Sequence, residues 1–332
     1  MGKQSINVNF NPQDQINKYW KTYNELNLIT VLNDKLQLKP DSKIFTIGSC
    51  FALEIRKEFR RLGYDVYPKY HEMDMDPEQV TISNRGSKAQ MPILMDAISH
   101  YHTYSIRQEF EKHLGRWKQA PDDYWSSPNH WWPEETSCFQ DPYRRAVFAK
   151  TPEILHETVQ KIDRCVSQGI QDADIFLITL GLIETWMQKS NGRAACLNPG
   201  YNGGSGYAET EFHLSTFQEN YENIKAITAM IREIRPDAKI VFSVSPVPLG
   251  QTFTDNDVVI ANMESKSILR AALGQVLREE TDITYYPSYE ICSILGDVYT
   301  EDGRHVRPEI VQTIVQSFIN GFTPKNSQLK TA

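Results

Sequence analysis

Asp174-Ile-Phe-Leu-Ile-Thr-Leu180 is apolar at nearly every position and stops at Gly181. A half-buried strand alternates polar and apolar residues; this run does not, so as a strand it has to be covered on both faces. Parallel sheets flanked by helices meet that requirement. Lys43 to Gly48 and Lys239 to Val244 repeat the pattern, and Tyr64 to Tyr67 and Ile283 to Tyr286 are shorter versions of it. Helical stripes alternate with these runs. Ala52, Ile55, Phe59 and Leu62 recur at three- to four-residue spacing before Gly63, and Leu155, Val159, Ile162 and Val166 follow Thr151-Pro152. Ser215 to Gln218 has capping-box spacing ahead of a stripe from Phe217 to Ile234. A long helix is predicted over Met263 to Glu280, and Pro308 opens a last one through Val311, Ile314, Val315 and Phe318. The predicted fold class is α/β: a three-layer α/β/α sandwich with a mostly parallel, flavodoxin-like sheet.

Two stretches interrupt the rhythm. Residues 106–146 hold Trp117, Trp125, Trp131 and Trp132 with several prolines, and residues 190–212 are polar and glycine-rich. Both are expected to be rim insertions in a single domain over 41–322. Residues 1–40 form an N-terminal extension packing on that domain, and 323–332 form a tail. The tryptophans read first as a hydrophobic cluster pinning a long excursion, with a lid or sugar-stacking platform as the other reading.

Charge and composition narrow the function. Thirty-five Lys+Arg against 42 Asp+Glu leave a net charge of −7, which offers no footprint for a phosphate backbone, so nucleic acid is not an expected partner. No apolar run reaches the roughly 18–20 residues of a membrane helix. Met1 to Trp20 lacks the apolar core of a signal peptide, and Ile6 stands where a myristoylation motif has Ser or Thr. A soluble, cytoplasmic chain is expected, with no membrane partner. Five scattered cysteines (Cys50, Cys138, Cys165, Cys196, Cys292) without a CxxC pair point to reduced thiols. No metal is expected: His100 and His102 are the one close histidine pair and on a helix would point about 200° apart. His213 reads as a structural histidine, and Arg144-Arg145 as a surface pair or a contact for an anionic substrate.

In an open parallel sheet, ligands bind at the carboxyl ends of the strands. The segments to examine are therefore Gly48-Ser49-Cys50, Gly181 to Trp186, Ser245 to Pro248 and Pro287 to Glu290, together with the loop Asp302-Gly303-Arg304-His305. A nucleophile on a tight strand-to-helix turn stands clear of the sheet, beside helix N–H groups able to hold an oxyanion. Cysteine suits that place, because a helix N-terminus or a nearby imidazolium raises the thiolate fraction.

Ile47-Gly48-Ser49-Cys50-Phe51-Ala52 spells the namesake motif of the GSCFA-domain family, which resembles SGNH (GDSL-like) hydrolases. Thr179 to Trp186, Ser243 to Pro248, Pro287 to Glu290 and Asp302 to His305 are similar to family segments in the same order, from about residue 40 to 320. Laid without a gap on the SGNH Gly-Asp-Ser turn, Gly48-Ser49-Cys50 implies Cys50 as nucleophile; a one-residue shift implies Ser49. The resemblance makes His305 the general base and acid, and Asp302 its orienter. It fails at the third block, Gly-x-Asn-Asp: Gly181-Leu-Ile-Glu184 has Ile183 where the oxyanion asparagine belongs. Replacement donors are sought in the Cys50 N–H, in Gly86 of Asn84-Arg85-Gly86, or in Thr185. Glu184 is a site carboxylate, a substrate ligand or a solvated group. The implied function is acyl transfer, as an O- or N-acyltransferase or an esterase, on a small-molecule or glycan substrate. No cofactor is required, and an acyl-CoA or acyl-carrier thioester serves as candidate co-substrate. The rival reading is a catalytically silent protein of the same fold that binds a glycan or a CoA-like ligand.

Overall fold

The computed structural model describes residues 36–82, 98–128, 131–132, 134–200 and 206–322. Its centre is a five-stranded, all-parallel sheet of β1 (Lys43–Gly48), β2 (Asp65–Tyr67), β7 (Ile175–Leu180), β11 (Lys239–Val244) and β12 (Ile283–Tyr285). The spatial order is β12-β11-β7-β1-β2, the flavodoxin-like order of a doubly wound sheet.

Alternation along the strands sorts the two cores. Ile44, Ile175, Leu177 and Val241 face one side, against α1 (Cys50–Arg61), α6 (Ser288–Leu295) and α7 (Pro308–Phe322). Phe45, Ile47, Phe176, Ile178, Ile240 and Phe242 face the other, against α2 (Thr103–His113), α3 (Pro152–Asp172), α4 (Phe217–Ile234) and α5 (Val258–Glu279). The unbroken apolar runs follow from this. A polar residue at either parity would be buried in one core or the other.

The two interrupting stretches are built into small antiparallel sheets. β4 (Trp125–Pro128), β5 (Ser137–Gln140) and β6 (Val147–Ala149) join β3 (Val80–Ile82) in the order β3-β6-β5-β4. β8 (Glu184–Gln188) is flanked by β9 (Ala194–Ala195) and β10 (Thr210–Leu214). The first stretch also contains most of α2, a core helix of the sandwich. Trp132 packs with Cys138, Ala146 and Phe148, and Trp125 donates to Gln188. Leu36 and Leu38 are buried, the Leu38 N–H bonding the Phe322 carbonyl. Residues 1–35, the segment 201–205 and the tail 323–332 lie outside the described residues.

Four expectations need correction. The capping box of α4 is Thr216 with Glu219, one residue later than Ser215 with Gln218; Ser215 is buried and bonds the Ile183 carbonyl instead. α5 begins at Val258, capped by Asp257; the periodicity misses this first turn because Val259 and Ile260 are exposed and fall off the buried stripe. His100 and His102 precede α2 instead of lying on a helix, and His102 caps it through Nδ1. Arg144 is buried, not superficial: it bonds Glu109 through two nitrogens (3.0 and 2.6 Å) and Asp163 at 2.5 Å.

Candidate active site

A cleft of about 610 Å³ opens at the carboxyl edge of β1, β7 and β11, and Ser49, Cys50, Gly181, Ser245 and His305 line it. The turn that delivers the thiol depends on Gly48. Its φ is +143°, and a Cβ there would lie 2.2 Å from the Thr179 carbonyl oxygen of the neighbouring strand. Only glycine lets β1 and β7 stay paired to their ends while the chain swings into α1. Gly48→Ala is therefore expected to cost at least about 3 kcal/mol, from backbone strain plus overpacking. Urea denaturation monitored by circular dichroism checks this.

Ser49 and Cys50 have different tasks in this turn. Ser49 is the N-cap of α1: its hydroxyl accepts from the Phe51 N–H at 3.3 Å and donates to Ser245 Oγ at 2.9 Å. Cys50 is the first helical residue, where N–H groups lack intrahelical acceptors. Its thiol meets His305, and that contact is the largest influence on the imidazole.

The His305 loop is held by its own hydrogen bonds. Asp302 Oδ1 accepts from the Arg304 N–H (2.9 Å), the His305 N–H (2.9 Å) and Thr300 Oγ1 (2.8 Å). Its Oδ2 meets His305 Nδ1, which leaves Nε2 for the thiol. His305 foremost, then these N–H groups, hold the Asp302 carboxyl far below its ordinary range. The Cys50 contact, with Asp302 behind it, outweighs burial and raises the imidazole to about 9. A histidine so placed is an imidazolium at neutral pH, beside a thiol at a helix N-terminus.

The loop after β7 spends its donors elsewhere. The Gly181 and Leu182 N–H groups both go to the Tyr101 carbonyl, and the Ile183 N–H goes to Ser265 Oγ. Gly181 also has no room for a side chain, since a Cβ would lie 2.4 Å from that Tyr101 oxygen. Thr185 lines the cleft and its hydroxyl lies 3.3 Å from His102 Nε2. Glu184 lines it too, but its carboxylate is engaged by Thr252 Oγ1 (2.6 Å) and the Phe253 N–H (2.9 Å). Asn84 and Gly86 fall outside the described residues. Pro287 to Glu290 does not reach the cleft: Ser288 bonds the Val244 carbonyl, and Glu290 meets Arg270 and Tyr285.

Three cleft residues escaped the sequence reading of the site in whole or part. Trp186 stands at the wall, edge-on to Phe253. Arg145 lies over the Tyr101 ring and also lines the cleft. Lys266, on α5, is buried with its ammonium 2.6 Å from the Gly181 carbonyl. A signal for it existed, because 266, 269, 273 and 276 form a buried stripe in which lysine is the odd member. His213, by contrast, pairs with Glu219 at 2.7 Å and lies outside the cleft lining.

Among the described residues no cluster of His, Cys, Asp and Glu could hold a metal, and no helix is long and apolar enough to cross a membrane. The class the fold defines is an α/β protein with an open parallel sheet, and a thiol, an imidazole and a carboxylate gather at its carboxyl edge. The profile of the GSCFA family matches residues 43–318, most of the chain, and the protein belongs to that family. No curated protein matches it. One solved crystal structure is similar at 17% identity with a TM-score of 0.28, covering 45% of this chain and 64% of its own. An acetyl xylan esterase from the rumen bacterium Butyrivibrio proteoclasticus is similar at 10% identity with a TM-score of 0.23, covering 45% of this chain and 36% of its own. The chain thus spans less than two thirds of either structure.

Proposed function

We propose that this GSCFA-family protein is an acyl-transfer enzyme working through a thioester on Cys50, with His305 and Asp302 as its proton-handling pair. The observation that carries the reading is the meeting of thiol, imidazole and carboxylate in one cleft at the N-terminus of α1. The Cys50 thiolate attacks the acyl carbonyl carbon, an S–C bond forms, and the carbonyl π electrons move to oxygen. As the oxyanion collapses, the bond to the leaving oxygen, nitrogen or sulfur breaks, and the imidazolium gives that atom its proton. An acceptor O–H or N–H then attacks the thioester, passes its proton to His305 Nε2 and expels the thiolate. Asp302 holds the ring so that Nε2 faces the sulfur throughout.

A thioester is open to alcohols and amines, so transfer is favoured over hydrolysis. Acyl-CoA or an acyl-carrier thioester is the donor class, no further cofactor is needed, and a small molecule or glycan is the acceptor class. Ser49 is not the proposed nucleophile, because its hydroxyl is committed to the helix cap and to Ser245.

Intact-protein mass after incubation with acyl-CoAs and an activated ester, followed by peptide mapping, tests the proposal. The expected result is one acyl group on Cys50, formed far more slowly in His305→Ala. An acyl group on Ser49 would move the nucleophile by one residue. No adduct with any donor would favour the silent glycan- or CoA-binding protein.

A further inference from the structure

Lys266 presents an anomaly that the acyl-transfer chemistry has not used. Its side chain is 2% exposed, yet no carboxylate lies within ion-pair distance of it among the described residues. Burying an ammonium without a counter-ion is costly, and burial pushes this one down to about 7 from the ordinary lysine range. One of its three donors goes to the Gly181 carbonyl. The charges acting on it are Cys50, which favours the ammonium, and Arg304, which opposes it. Meanwhile the three successive N–H groups after β7 are all occupied, and Ile183 supplies no side-chain donor.

We propose that Lys266 is the oxyanion donor that the loop after β7 does not supply, and that between turnovers it faces the Cys50 sulfur as a second cation beside His305. The inference rests on the acyl-transfer reading for its oxyanion half, and for its pairing with the sulfur on the cleft that Lys266 and Cys50 line together. α5 carries the lysine in from outside the strand-end segments. The Gly181 carbonyl then fixes the ammonium in the cleft lined by Cys50 and Ser49. As an attacked carbonyl becomes an oxyanion, the remaining N–H groups meet a charge that was absent in the ground state, which is where a donor accelerates the reaction.

Lys266→Met keeps the length and removes the charge; Lys266→Gln keeps a donor for Gly181 and serves if the first variant does not fold. Two readouts are taken: the rate of Cys50 acylation by p-nitrophenyl acetate, and the pH profile of Cys50 alkylation by iodoacetamide. The other ionisable groups of the cleft are Tyr101, His102, Arg145, Glu184, Cys196, Arg304 and His305, with Asp302 behind the imidazole, and they are unchanged in both variants. Acylation is expected to fall by about 10²-fold. The alkylation profile should move to higher pH, with the thermal midpoint unchanged or raised. A lysine that merely fills space would leave both readouts at wild-type values in a folded variant, and that result overturns the proposal. If the wild-type chain forms no adduct with any donor, the acyl-transfer reading fails and takes the oxyanion role with it. The alkylation shift then decides the pairing with Cys50 on its own.

Discussion

Exposed to iodoacetamide at pH 7, the protein is expected to lose one thiol quickly, Cys50, and the other four slowly. Burial alone raises Cys138 to about 11 and Cys292 to about 12. Burial is also the leading cause that takes Cys165 to about 11 and Cys196 to about 12. Each unit is a tenfold loss of thiolate, so these four should react at least about 10²-fold more slowly than an ordinary free thiol. Cys196 also lines the cleft but bonds the Ser99 carbonyl, whereas Cys50 stands beside an imidazolium and at a helix N-terminus. Cys50→Ala should erase the fast phase. His305→Ala should slow it by about 10- to 100-fold while the other four rates hold. Peptide mapping at timed intervals reads all five sites, and a Cys50 that reacts no faster than the others would remove the basis for a thiol nucleophile.

The pH dependence of that fast phase follows from His305. The imidazole is raised, from about 6.5 in an unfolded chain to about 9. A raised folded-state value means that the pairing stabilises the protein fully below about pH 6.5 and that this contribution is lost as pH rises through about 9. The ring is half exposed, so salt and solvent screen much of the stabilisation. Reactivity is the better reporter. Between those limits the rate advantage of the wild type over His305→Ala should shrink as pH rises toward about 9 and the imidazolium is lost.

The sheet was legible because burial on two faces leaves no choice of residue. Runs such as Asp174 to Leu180 cannot alternate, and their spacing with amphipathic helices leads to the three-layer sandwich. Strand ends were legible for a related reason: Gly48 and Gly181 stand where a Cβ would strike the neighbouring backbone. Residues that act through long-range placement were not. Lys266 reaches the site from the middle of α5, 85 positions from its Gly181 partner; the buried stripe marks it as an odd lysine but does not say which site it enters. The start of α5 was missed because its first turn is apolar and exposed, the reverse of the pattern that periodicity detects. Arg144-Arg145 looked like surface charge because two adjacent arginines carry no mark of burial. The acidic partners of Arg144 lie 35 and 19 residues away in the chain.

That arginine supports the second large expectation, which concerns how the cleft wall is held. Arg144 bridges Glu109 on α2 and Asp163 on α3, and His100 lies 3.0 Å from the same Glu109 carboxylate. Burial alone would raise the Glu109 carboxyl, but Arg144 and its neighbours hold it well below the ordinary range. Arg144→Met leaves that carboxylate buried without its bidentate partner, and breaking such a pair from one side costs about 3–5 kcal/mol. Glu109→Gln alone strands the guanidinium with a similar penalty. The double variant should recover part of the loss, because neither side then buries an uncompensated charge. Denaturant unfolding of the four proteins at pH 7 gives the coupling directly, and additive single losses would contradict it. The sign in pH is fixed as well: a lowered carboxyl stabilises the fold above about pH 4.3 and loses that contribution as pH falls below it, so Glu109→Gln should flatten the acid limb of unfolding. The consequence for the site comes through the next residue. Arg145 extends from this anchored turn over Tyr101, whose carbonyl collects the Gly181 and Leu182 N–H groups at the cleft floor. Variants that loosen the anchor while the protein stays folded should therefore also slow the acylation of Cys50, although no atom of Arg144 lines the cleft.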